Sequence, residues 1–117
     1  MAASKWNIRV EQGATFVQTL TWKNGTPPVP TDLTGCTARM QVRRTVDAPE
    51  ILLSLTTENG GIVLGGTAGT ITLGLTAVQT AAIAWLTGVY DLEIAFSTGL
   101  VRRLLAGNVT VSREVTR

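Results

Sequence analysis

The chain has 117 residues, 44% hydrophobic and 15% charged, with a formal net charge of +2, one cysteine and no histidine. That length buries one ordinary core without staples, and a lone cysteine without histidine makes neither an intramolecular disulfide nor the usual zinc set, so no metal or other cofactor is expected. The Ser/His/Asp and Cys/His nucleophile arrangements are excluded with the histidine, which leaves an enzyme the less favoured class.

An excess of two positive charges is too small to imply nucleic acid. The longest apolar stretch, residues 81–86, is far short of the about 20 residues a membrane helix needs, so no membrane partner is expected. Polar and apolar residues alternate from Trp6 on, unlike the continuous run of a secretory signal, and synthesis in the cytoplasm without export is the expectation.

Apolar residues recur mostly at every second position, the period of half-buried strands, and the chain reads as all-β. Trp6, Ile8 and Val10 alternate with Asn7 and Arg9. A second run puts Phe16, Gln18, Leu20 and Trp22 on one face and Thr15, Val17, Thr19 and Thr21 on the other, and a sheet edge is expected in this region. Asn24-Gly25 with Pro27, Pro28 and Pro30 should then stop strand pairing in a loop. Asp32-Leu33-Thr34-Gly35 reads as a turn into a strand with Cys36, Ala38, Met40 and Val42 on its apolar face and Thr37, Arg39, Gln41 and Arg43 on the other. Pro49 marks a loop, residues 51–57 a short strand, and Glu58-Asn59-Gly60-Gly61 a turn back. Residues 62–64 and 70–75 read as strands joined across Gly65 to Gly69.

Thr76 and Gln79 have the spacing of a capping box, which predicts one or two helical turns near residues 76–84. Tyr90, Leu92, Ile94 and Phe96 then alternate with Val89, Asp91, Glu93 and Ala95 in the most regular strand of the chain. Ser97-Thr98-Gly99 connects it to residues 100–111 as a hairpin, with a bulge or bend expected at Gly107-Asn108. The whole, residues 1–117, is expected to be a single antiparallel β-sandwich with a short extended N-terminal segment. An immunoglobulin-like sandwich is the first choice, with Trp22 between the sheets, and a small jelly roll or open barrel the alternative.

Cys36 alternates with apolar neighbours and reads as a small buried hydrophobe, since no base or resolving thiol accompanies it. Asp91 and Glu93 share a strand face; two carboxylates are few for calcium, and pairing across the hairpin with Arg102 or Arg103 is the simpler reading. Arg39, Arg43, Arg44, Arg102 and Arg103 would gather into a basic face if their strands share a sheet, and arginine suits carboxylates at a protein interface. Gly60-Gly61 and Gly65-Gly66 lack the context of a phosphate loop and are turns. Asn24 and Asn108 match the glycosylation pattern formally, with little meaning in the absence of a secretory signal. The Thr-rich surface has few of the charges that blunt sheet edges, which suits a surface covered by neighbours.

Gln12-Gly13-Ala14-Thr15-Phe16, Asp32-Leu33-Thr34-Gly35 leading into Ala38 to Arg43, Gly69-Thr70-Ile71, Gly88 to Glu93, Arg103-Leu104-Leu105 with Gly107, and Val109 to Val115 follow one another along nearly the whole chain. In order and spacing this pattern resembles small β-sandwich virion proteins of tailed bacteriophages, similar to the immunoglobulin-like N-terminal domain of baseplate upper proteins. The resemblance implies a non-enzymatic virion subunit in the tail, neck, baseplate or fibre region, present as a homo-oligomer or in repeated copies against other virion proteins. In that family a stalk follows the sandwich, whereas this sequence ends at Arg117; a separate subunit is expected, with capsid decoration or head-fibre attachment as the alternative. A carbohydrate-binding module using Trp85 is the reading from another class, and a hydrolase using Asp91 and Glu93 is a third.

Overall fold

The computed structural model describes residues 3–116. In chain order the strands are β1 (Ser4–Lys5), β2 (Ile8–Glu11), β3 (Phe16–Thr21), β4 (Lys23–Asn24), β5 (Val29–Pro30), β6 (Thr37–Arg43), β7 (Leu53–Thr56), β8 (Ile62–Leu64), β9 (Thr70–Leu75), β10 (Thr87–Ala95) and β11 (Val101–Ser112). Helix α1 (Ala77–Ala81) lies between β9 and β10. One sheet runs β1-β11-β10-β6-β7, with β2 also on β11; the other runs β3-β9-β8, and β4 and β5 form a small ribbon. The β3-β9-β8 sheet has the places of strands B, E and D, and β6, β10 and β11 those of C, F and G, in an immunoglobulin-like sandwich.

The period-2 alternation places the core between these sheets. Ala38, Met40 and Val42 of β6, Tyr90, Leu92 and Ile94 of β10 and Val109 and Val111 of β11 face Ile62 of β8 and Ile71, Leu73 and Leu75 of β9. Trp22 is not at this centre. It is half-buried at one end, edge-on to Phe96 with ring centroids 6.0 Å apart, because the aliphatic side chains already fill the middle.

Several local expectations change in detail. The helix stops at Ala81, short of the expected 84, as Ile83 turns into the core and donates its N–H to Thr80 O. Its capping box is present, Gln79 N to Thr76 Oγ1 at 3.1 Å and Thr76 N to Gln79 Oε1 at 2.7 Å. The turn after β7 carries the chain to the other sheet instead of back along the same one, because β7 pairs with β6 and β8 with β9. Pairing also continues past Trp22 into the β4-β5 ribbon. Thr31 N donates to Trp22 O, so the neighbouring Lys23-Pro30 pair is one that needs no N–H from proline. Gly69 underlies this ribbon at φ 69°, where a Cβ would lie 2.8 Å from Trp22 O and 2.9 Å from Thr31 N.

The N-terminal strand departs most from an antiparallel scheme, since β1 and β2 both run parallel to β11. Their pairing breaks at Trp6-Asn7, opposite Gly107-Asn108. There Asn7 Oδ1 accepts from Asn108 N at 3.1 Å, and Tyr90 Oη donates to Trp6 O at 2.6 Å. Gly107 is required because any Cβ would collide with the Trp6 carbonyl. The β-bulge of the β10-β11 hairpin is not here, as expected, but at Leu104, where the register passes from Leu92-Leu105 to Glu93-Arg103.

Two outcomes are expected. Gly107→Ala, which overpacks backbone against backbone, should cost about 1–3 kcal/mol in denaturant unfolding, and Tyr90→Phe about 1 kcal/mol. Together they should cost less than the sum, because both act on one contact. Burial pushes the Tyr90 phenol up to about 12. Below the ordinary tyrosine value of about 10 its contribution to stability is complete; between there and pH 12 the unfolded chain loses the proton first, so stability should fall. Ultraviolet titration of this single tyrosine in the folded protein checks the midpoint.

Candidate protein interface

Arg39 and Arg43 of β6, Asp91 and Glu93 of β10 and Arg103 of β11 all belong to the six-stranded sheet, and the registers place them on its outer face. This face is of mixed charge, not basic. Glu93 stands opposite Arg39 on β6 and opposite Arg103 on β11, and it is Arg39 whose Nε it pairs with, at 2.8 Å, across β10-β6 and not across the hairpin as expected. Arg43 is turned to the 44–52 loop: Nη1 donates to Ala48 O at 2.9 Å and Pro49 O at 3.0 Å, while Nη2 donates to Gln41 Oε1 at 2.9 Å. Arg44 is exposed beyond the end of β6. Around these groups is a shallow recess of about 400 Å³ lined by Gln41, Val89, Asp91 and Arg103.

Arg102 lies opposite Ile94 and so leaves β11 on the inner side, away from Arg39 and Arg43. With Arg103 and Lys23 it lines a groove of about 820 Å³ that also includes Trp22, Phe96 and Leu104. A neighbouring trough of about 380 Å³ continues along Leu20, Trp22, Leu104 and Leu105. The sequence reading therefore gathered into one face a set of arginines that the fold distributes over two surfaces. It missed Lys23 and Leu104, which are brought to the groove by the β4-β5 ribbon and by the bulge; neither feature has a local signature. The uncharged run of β3 was the available signal.

The remaining candidates take structural places. Cys36 is half-buried just before β6, less enclosed than expected, and partial burial with Asp32 nearby pushes its thiol up. Asp32 closes the turn by accepting from Thr34 N at 2.9 Å, and the Thr34 side chain first, with this backbone bond second, holds its carboxyl below the usual value. Trp85 is half-buried and packed against the core beside α1. Among the described residues no group of His, Cys, Asp and Glu is arranged to hold a metal ion.

The Gln12-Gly13-Ala14 segment is clamped. Thr80 Oγ1 accepts from Gly13 N at 3.0 Å and donates to Ala14 O at 2.8 Å, and Gln12 reaches Ile83 O through Nε2 and Glu114 N through Oε1. This fixes where β3 begins.

Arg43→Ala should destabilise by about 1–2 kcal/mol, since it leaves two loop carbonyls without their charged donor, while Arg39→Ala should change stability by less than about 1 kcal/mol, as an exposed pair. Denaturant unfolding of the two variants side by side checks the difference.

No protein-family model matches the chain, and no curated protein matches it either.

Proposed function

We propose that the chain is a non-enzymatic structural subunit of a tailed-phage virion, an adaptor or attachment module in the tail, neck, baseplate or fibre region. The observation that carries this reading is the open edge of β3. Sandwiches that stay alone blunt such edges with charge, proline or bulges. Phe16–Thr21 has none of these, and Val17 is 63% exposed on it. An uncharged, unblunted edge suits a subunit covered by neighbours at repeated positions, and the resemblance of the sequence to small virion sandwiches points to the same kind of assembly.

Attachment to the capsid, as a decoration or head-fibre subunit, would use the same surface and is the second reading. The test is immunogold labelling of this chain on purified particles from the genome that encodes it, viewed by electron microscopy. Label at the tail or neck is the expected result. Label over the head would replace the adaptor role by decoration, and particles without label would overturn the virion reading.

A further inference from the structure

We propose that the β3 edge, with the trough at its Leu20-Thr21 end and the groove that continues from it between the β4-β5 ribbon and the β10-β11 hairpin, receives an extended, acidic strand from a neighbouring subunit. The inference rests on the reading of the chain as an assembly subunit and names the chemistry of its partner.

Four observations converge on it. Trp22 N donates to Gly69 O. By antiparallel alternation, the N–H and C=O groups of Val17, Thr19 and Thr21 then point away from β9, and β3 has no other strand beside it among the described residues. Second, Gln18 is exposed although it lies on the inward face of β3 with Phe16 and Leu20, as a residue at the uncovered side of a sandwich would be. Third, the chain's own first strand is committed to β11 in the opposite sheet. Fourth, the floor beside this edge is apolar, with Leu20, Trp22, Leu104 and Leu105, while the groove's charged groups are Lys23, Arg102 and Arg103, with no carboxylate among the residues lining it.

The main-chain ladder would supply affinity without sequence preference, and alternate side chains would enter the trough. The three cations select carboxylates over ammonium groups and disfavour a second copy of this edge, which brings the same cations with it. A nucleic acid would find the charges but no stacking platform of successive rings.

The experiment uses the purified full chain and amide hydrogen exchange followed by NMR. Three short synthetic peptides serve as probes, each alternating valine with threonine and bearing glutamate, glutamine or lysine at its ends. The glutamate peptide should slow exchange at Val17, Thr19 and Thr21 by about tenfold at a concentration about ten times its dissociation constant. The lysine peptide should not, and added salt should weaken the effect. Thr19→Pro, which removes an outward N–H and no main-chain bond to β9, only the exposed hydroxyl contact with Thr72, should abolish protection, and Thr19→Val, which removes that hydroxyl contact alone, should keep it. Arg102→Glu with Arg103→Glu, both on exposed side chains, should reverse the preference while the amide spectrum elsewhere stays unchanged.

Equal protection by the lysine peptide, or none by any of the three, would overturn the proposal. So would stronger protection by single-stranded oligothymidylate, or a dimer formed by the chain alone with the same amides protected. These readouts are independent of particle labelling: tail label without peptide binding would remove the groove proposal and keep the virion reading, and peptide binding without label would do the reverse.

Discussion

The hydroxyl of Tyr90 donates to the carbonyl of Trp6 at 2.6 Å, in the space that Gly107 leaves by having no side chain, and Trp6 N returns a bond to Ala106 O at 3.0 Å. These contacts hold the N-terminal strand parallel to β11. With β1 and β2 both on β11, the β3-β9-β8 sheet ends at β3 among the described residues. Burial favours this choice: Ile8 and Val10 stand beside Val109 and Val111, and all four are enclosed in the core. The break at Trp6-Asn7 is compatible with that burial because the Asn7 side chain takes the Asn108 N–H, so the main chain can leave the ladder without an orphaned donor.

The edge thus exposed stands on a rigid scaffold. Thr80, fully buried on a helix of one turn, satisfies both sides of the Gly13-Ala14 corner, and Gln12 ties that corner to Ile83 and Glu114. At the other end of β3 the chain passes over Gly69 into the β4-β5 ribbon. A strand fixed at both ends has little entropy left to lose when another strand pairs with it, which favours association by an edge of only six residues.

Charge is distributed by the same geometry. Arg39 and Arg43 are used within the sheet, one by Glu93 and the other by loop carbonyls. On β11 the consecutive Arg102 and Arg103 take opposite faces: Arg102, on the inner side, lines the groove where Lys23 lies, and Arg103 lines both that groove and the outer recess beside Asp91. A small net charge for the whole chain is therefore compatible with a local site of one sign, and the electrostatic field of a groove depends on which charges line it, not on their sum over the molecule.

The alternation of Ala38, Met40 and Val42, or of Tyr90, Leu92 and Ile94, was legible in the sequence because side-chain direction along a strand depends only on parity within the same short segment. The capping box of Thr76 and Gln79 was legible for the same reason, its two bonds spanning three residues. All-β class, the sandwich and the inward faces follow from such local rules. The tertiary structure alone decided that β2 runs parallel to β11, that the chain changes sheets after β7, that Glu93 meets Arg39 instead of the hairpin arginines, and that the bulge falls at Leu104 and not at Gly107. Each depends on partners far apart in the chain, where the packing of two whole sheets sets the register, and no neighbouring residue carries that information.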